Sequence, residues 1–174
     1  MFAHLRFTHP VIHTASPKSN LAIIEGGVGQ DPTIERNAGV QEAIKPYPNI
    51  KIVATQSVDW TRKGGCKVME GYIQKYPTGF LQGVFCASDE MMMGALEALQ
   101  AAHLTDLNGW FFSGDGQLEG LQMVLQGVAI ADTQNSPFHG GPALQAAIAI
   151  TQGMKLNGAS IMRDNQTLTN ITSE

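Results

Sequence analysis

The chain has 174 residues, of which 43% are hydrophobic and 15% are charged, and its formal net charge is −4. This length accommodates one full domain, or one domain and part of a second. The near-normal apolar content and the small net charge argue against intrinsic disorder. The acidic balance and the lack of a run of Lys and Arg disfavour a nucleic-acid binder held by a basic patch.

Targeting segments, metals and disulfides are not indicated either. No stretch approaches 18 consecutive apolar residues, so no membrane-spanning helix is predicted. Two cysteines, Cys66 and Cys86, are too few for a disulfide framework or a metal cluster. The three histidines among residues 1–18 do not have zinc-site spacing, and we predict no metal. The same segment lacks the apolar run of a secretory signal peptide, and we expect it to be poorly ordered.

Short apolar runs alternate with amphipathic helical patterns along the chain. The first run, residues 21–25, ends at two glycines and predicts a buried strand. Asp31 and Pro32 are typical of a helix N-terminus, and Pro46 ends that helix. The pattern then repeats, with strands predicted at 50–54, 81–86, 110–112 and 128–131, and helices at 62–75, 89–102, 118–125 and 137–152. This alternation predicts a three-layer α/β/α fold around a parallel sheet.

Polar side chains follow the predicted strands, at the edge where open parallel sheets bind ligands. They comprise a cation, an aromatic ring, a hydroxyl, a carboxylate and an amide, namely Arg36, Trp60, Ser88, Asp115 and Gln134. Such polar groups form multidentate hydrogen bonds to neighbouring hydroxyls, and an aromatic ring covers the apolar face of a sugar. The pattern therefore predicts a binding site for a sugar or polyol.

Catalysis and cofactor binding are not predicted at this edge. It carries no histidine and no activated thiol, which general-base and nucleophilic catalysis commonly require. The glycines at 26, 27 and 29 fit neither the dinucleotide fingerprint nor a phosphate-binding loop. We therefore expect a binding protein with no cofactor, and not an enzyme.

Four of the five candidates also have a purely structural interpretation. Ser88 is a suitable N-cap for the following helix. Asp115 precedes a glycine and fits a plain turn. Trp60 fits a core aromatic residue at a strand end, and Gln134 fits the entry to a helix. The sequence leaves these alternatives open.

Arg36 is harder to explain without a partner. A cation near a helix N-terminus opposes the helix dipole, so another group should hold it there. Asp31 and Glu35 are the structural candidates for that partner.

Five segments, in order and at matching spacings, resemble the ribose-binding type of sugar-binding proteins of bacterial ABC importers, the type I periplasmic binding proteins. They are residues 22–26 with 35–39, 56–60, 85–91, 113–116 and 131–137, and the resemblance extends from about residue 18 to residue 172. It implies that Arg36 grips sugar hydroxyls, Trp60 stacks on the sugar and Asp115 accepts from hydroxyls. It implies that Gln134 lies at the hinge between the two lobes of the family and also contacts the ligand. Ser88 replaces the usual Asn, so that contact is lost or mediated by water.

The resemblance covers only the second of the family's two lobes. It implies an unmatched leader at 1–18, a sugar-binding lobe at 19–134 together with 164–174, and a helix and crossover of the first lobe at 135–163. Most of the first lobe and the signal peptide are then absent. The helix at 137–152 would lack a partner for its apolar face, formed by Ala143, Leu144, Ala147, Ile148 and Ile150.

The implied function is that of the substrate-binding component of an ABC importer. Such a protein is periplasmic, binds a monosaccharide or polyol between two lobes and docks on a permease, its only link to the membrane. Two alternatives remain: the ligand-sensing core of a lactose-repressor-type transcription regulator, and a non-functional fragment. The regulator has the same fold but needs a helix-turn-helix, and residues 1–18 show none.

Overall fold

The computed structural model describes residues 19–104, 110–135, 140–153, 155–156 and 171–172. Strands and helices alternate, which confirms the predicted α/β class. The elements are β1 (Ser19–Glu25), α1 (Asp31–Ile44), β2 (Ile50–Ser57), α2 (Arg62–Lys75), β3 (Gly83–Cys86), α3 (Asp89–Ala101), β4 (Phe111–Asp115), α4 (Leu118–Leu125), β5 (Ala129–Gln134), α5 (Gly140–Thr151), β6 (Lys155–Leu156) and β7 (Ile171–Thr172). Two compact units divide between Gln134 and Asn135.

The first unit is built on a five-stranded parallel sheet with the order β2-β1-β3-β4-β5. The chain moves from β1 to β2 in one direction and from β2 through β5 in the other. Because such crossovers are right-handed, α1 lies on one face of the sheet and α2, α3 and α4 lie on the other. The direction reverses at the carboxyl ends of β1 and β3, where open α/β sheets form ligand crevices.

Strand β1, which lies between β2 and β3 in the sheet, supplies side chains to two separate cores. Leu21 and Ile23 pack with Val40 of α1. Ala22 and Ile24 face the larger core, which α2 and α3 cover. All four side chains are buried, as expected for a parallel strand enclosed on both faces.

Strand ends depart from the predicted positions. β3 begins at Gly83 rather than at residue 81, and β2 continues to Ser57. β4 and β5 extend past their apolar runs, and Asp115 pairs with Gln134 in the ladder. Backbone hydrogen bonding continues through these polar residues because it does not depend on side-chain polarity. Asp115 and Gln134 are therefore the last residues of their strands rather than the first of the following loops.

The second unit contains α5 and the antiparallel pair of β6 and β7. Leu144, Ala147, Ile148 and Ile150 are exposed. The predicted start of this helix at residue 137 lies outside the described residues, as do the predicted leader at 1–18 and most of the segment 164–174. No helix in the described ranges is both long enough and apolar enough to cross a membrane.

Two glycines bring α2 and α3 into backbone contact. A Cβ atom on Gly94 would lie 1.8 Å from the carbonyl oxygen of Arg62, and one on Gly65 would lie 2.2 Å from that of Met91. Both distances are far below van der Waals contact, so the spacing of the two helices requires glycine at both positions.

We predict that Gly94→Ala lowers the free energy of unfolding by about 1–3 kcal/mol, because overpacking outweighs the better helix propensity of alanine. Urea denaturation measures this change. Gly71→Ala is the matched control, since Gly71 lies on α2 with open space around it. That variant should be more stable than the unsubstituted chain by about 0.5–1 kcal/mol. Equal effects of the two substitutions would contradict the close helix contact.

Candidate functional site

The guanidinium of Arg36 lies where the direction of the sheet reverses. Its Nη1 donates to the carbonyl oxygen of Ala87 and, at 3.2 Å, to that of Gly114. Its Nη2 donates to Oδ1 of Asp115 at 2.9 Å. The side chain of Arg36 is only 10% exposed. One cation therefore ties α1 to the chain at the ends of β3 and β4.

The partner of Arg36 is Asp115, so the expectation that Asp31 or Glu35 holds it is wrong. The parallel sheet places the end of β4 beside α1, which brings together residues that are remote in sequence. Burial raises the pKa of Asp115, and its hydrogen bond to Arg36 opposes that shift. The pair is thus partly desolvated but electrostatically matched.

Trp60 lies beside the same guanidinium. The Arg36 Cζ atom is 5.4 Å from the centroid of the Trp60 ring, within range of a cation–π interaction. The indole Nε1 donates to Oε1 of Gln30 at 2.5 Å. A Cβ on Gly26 would lie 1.9 Å from the ring, so only glycine accommodates the indole there. Trp60 has a φ of +64°, an uncommon backbone conformation for a bulky residue.

Ser88 and Gln134 have different environments. Ser88 is buried, and its Oγ accepts from the backbone N–H of Met91 at 3.4 Å, so it caps α3. The structural interpretation of Ser88 is thus observed, and its sugar contact stays a prediction. Gln134 is exposed and lies opposite Asp115 in the sheet. The structure therefore brings Arg36, Trp60 and Asp115 together, with Gln134 adjacent to Asp115.

Three further carboxylates near this edge make hydrogen bonds that were not predicted from the sequence. Glu25, at the end of β1, accepts from the side chains of Asn37 and Ser57, which joins β1 to α1 and β2. Asp89 and Asp132 accept hydrogen bonds in the turn that follows Asp115. Glu25 ends the predicted strand 21–25, and Asp132 directly follows the predicted strand 128–131. Asp89 begins the predicted helix 89–102. These positions were the available signals.

The arrangement suits recognition of a hydroxyl-rich ligand. The three hydrogen bonds described for Arg36 use three of its five N–H groups, which leaves two to donate to ligand hydroxyls. Asp115 can accept from a hydroxyl, and the indole of Trp60 offers an apolar surface. In the part of the chain that the structure describes, no group of three or more His, Cys, Asp or Glu side chains is placed to hold a metal.

We predict that Arg36→Ala lowers the free energy of unfolding by about 1–3 kcal/mol, because two carbonyls and the Asp115 carboxylate lose their donor. Chemical denaturation at pH 7 measures this loss. Arg62→Ala is the matched control: its side chain is 41% exposed and pairs with Glu90 at 3.2 Å. That surface pair should contribute about 0–1 kcal/mol. A loss for Arg36→Ala no larger than for Arg62→Ala would contradict the structural role of Arg36.

Comparison with known proteins shows consistent similarity. Residues 11–156 match the family model described as periplasmic binding protein domain. The chain is 36% identical over 132 residues to a galactofuranose-binding protein of Escherichia coli, an alignment that covers 73% of this chain and 41% of that protein. It is 32% identical over 88 residues to a xylitol-binding protein of Mycolicibacterium smegmatis, covering 51% of this chain and 25% of that protein.

A solved structure supports the same similarity. It is the periplasmic binding protein component of the arabinose ABC transporter from Shewanella sp. ANA-3, bound to α- and β-L-arabinofuranose. The TM-score is 0.74 and the identity is 33%, over 82% of this chain and 48% of that one. The chain therefore spans about half the length of that structure, and less than half of the two curated relatives.

Proposed function

The chain belongs to the periplasmic binding protein family, and from that premise we propose that it is the sugar-binding part of the substrate-binding component of an ABC importer. The relatives named above bind galactofuranose, xylitol and arabinofuranose, which are all sugars or polyols. The proposed ligand is accordingly a monosaccharide or a polyol, and the proposed activity is binding without turnover.

The observation that carries this proposal is that Arg36, Trp60 and Asp115 lie close together at the carboxyl ends of the strands, the edge where open parallel sheets bind ligands. A donor, an acceptor and an aromatic ring are the three kinds of group that a sugar requires. The guanidinium is held by carbonyls and by Asp115, so its orientation is fixed before a ligand arrives. A fixed site loses less conformational entropy on binding.

The domain arrangement is part of the proposal. Residues 19–134 form the lobe that carries the site, and residues 135–163 belong to the other lobe. The assignment of 164–174 to the first lobe stays a prediction, since the described residues of that segment, Ile171–Thr172, pair with β6 in the second unit. The division between compact units at Gln134 and Asn135 supports a boundary at that position. Gln134 then lies at the hinge, next to the ligand contact Asp115.

In the whole protein, two lobes close on the sugar in the periplasm, and the closed form docks on the permease. Ligand contacts made by both lobes stabilise the closed form. This chain alone makes only some of those contacts. It should therefore bind sugar more weakly than a dissociation constant of about 1 μM, which corresponds to roughly −8 kcal/mol.

We predict a saturable change in tryptophan fluorescence when the chain is titrated with one member of a panel of D-galactose, L-arabinose, D-ribose, D-allose and xylitol. Trp60 reports the ligand because its ring lies at the site, and Trp60→Phe should abolish the signal. Asp115→Asn should weaken binding at least about tenfold, because the amide accepts hydroxyl protons less strongly than the carboxylate.

Glu42→Gln is the control for that titration. Glu42 is an exposed carboxylate on α1, and its loss should leave the affinity unchanged. Isothermal calorimetry on the same samples reports binding independently of fluorescence. Absence of binding to every member of the panel by both methods would contradict sugar binding by this chain.

A further inference from the structure

The turn after β4 is held by two carboxylates from different elements. The backbone N–H of Gly116 donates to Oδ1 of Asp132, on β5, at 3.3 Å. The next N–H, of Gln117, donates to Oδ2 of Asp89, at the start of α3, at 2.8 Å. The other oxygen of Asp89 accepts from Oγ of Ser113 at 2.5 Å. These bonds fix the chain on both sides of Asp115.

The two carboxyl groups both lie against Gly120 of α4, within hydrogen-bonding distance of each other. A Cβ on Gly120 would lie 2.7 Å from Oδ2 of Asp89 and 2.8 Å from Oδ2 of Asp132. Glycine at this position leaves room for both oxygens. Within the described ranges, Oδ2 of Asp132 is buried and has no hydrogen-bond partner. Its neighbour Asp89 is fully buried.

Two ionised carboxylates in such proximity repel each other, and each loses solvation through burial. A single proton between them removes one charge and supplies the donor that Oδ2 of Asp132 otherwise lacks. We propose that Asp89 and Asp132 hold one proton between them, and that this proton keeps the turn in the position that presents Asp115 to the ligand. The second half of this statement rests on the proposed function.

The other charged groups near the two carboxyls form a matched pair. Asp115, at the end of β4, lies near Asp89, and Arg36 of α1 is bonded to Asp115 and offsets its charge. Helix α4 presents Gly120, which carries no charge. Burial and the neighbouring Asp89 raise the pKa of Asp132 to about 6. Above that pH the proton passes to solvent, and repulsion weakens the hold of Asp132 on Gly116.

The first test is a carbon-detected NMR titration of the side-chain carboxyl groups of this chain between pH 4 and pH 8. One aspartate signal should titrate near pH 6, and D132N should abolish it. In that variant the new amide donates to Asp89 and still accepts from Gly116, so it imitates the protonated pair. Titration of every carboxyl group below pH 5 would overturn the shared proton.

Thermal unfolding provides a second readout that needs no ligand. The folded chain binds this proton more tightly than the unfolded chain, where an aspartate titrates near 3.8. The stabilisation from the proton is therefore lost as the pH rises from about 4 to about 6. The melting temperature of D132N relative to that of the unsubstituted chain should rise over this range. E119Q, an exposed carboxylate change on α4, should follow the unsubstituted chain. A difference in melting temperature between D132N and the unsubstituted chain that does not change with pH would overturn the proposal.

The third measurement concerns the ligand. With the sugar panel given above, the affinity of the unsubstituted chain should fall between pH 5 and pH 7.5. The fall is up to about tenfold for each unit by which the pKa of the Asp89–Asp132 pair differs between the sugar-bound and the sugar-free chain. The affinity of D132N should stay constant. A constant affinity in both would overturn the role of the proton in binding. If no sugar binds, that role fails together with the proposed function, and the NMR titration still decides the shared proton.

Discussion

The geometry of the site depends on the hydrogen bonds and the ion pair that the guanidinium of Arg36 makes. Removal of a cation from water is costly unless hydrogen bonds and an opposite charge replace the solvent. Here the carbonyls of Ala87 and Gly114 and the carboxylate of Asp115 replace it, and Trp60 covers one side. The same contacts join a helix to two strand ends. One of the groups that satisfy the charge, Asp115, is thus also a proposed ligand contact.

Much of the fold was predictable from local pattern, because a parallel sheet enclosed on both faces requires continuous apolar strands. The run at residues 21–24 shows this clearly, since each of its side chains is buried. The residues Arg36, Trp60 and Asp115 were also predictable as neighbours, because parallel strands end at one edge. The ends of β4 and β5 were not predictable, because both strands continue through the polar residues Asp115 and Gln134, which pair in the sheet through their backbones.

The role of Asp89 and Asp132 could not be read from the sequence for a different reason. Their contact requires α3, α4 and β5 to pack at one particular distance, which Gly120 permits. Asp89 at a helix start has an ordinary local explanation, because it complements the helix dipole. Ser88 shows the reverse case, since the local explanation proved to be the observed one. Propensity at a helix end therefore does not reveal which polar residues also make tertiary contacts.

The side chains of β1 point alternately into two cores, and this has a consequence for how the protein tolerates insertions and deletions. Leu21 and Ile23 fill one core, while Ala22 and Ile24 fill the other. A slip of one residue would exchange the two sets and place the small alanine where a large side chain is needed. The same slip would move Glu25 away from Asn37 and Ser57 and Gly26 away from Trp60. A length change in this strand would therefore damage the core and the ligand edge together.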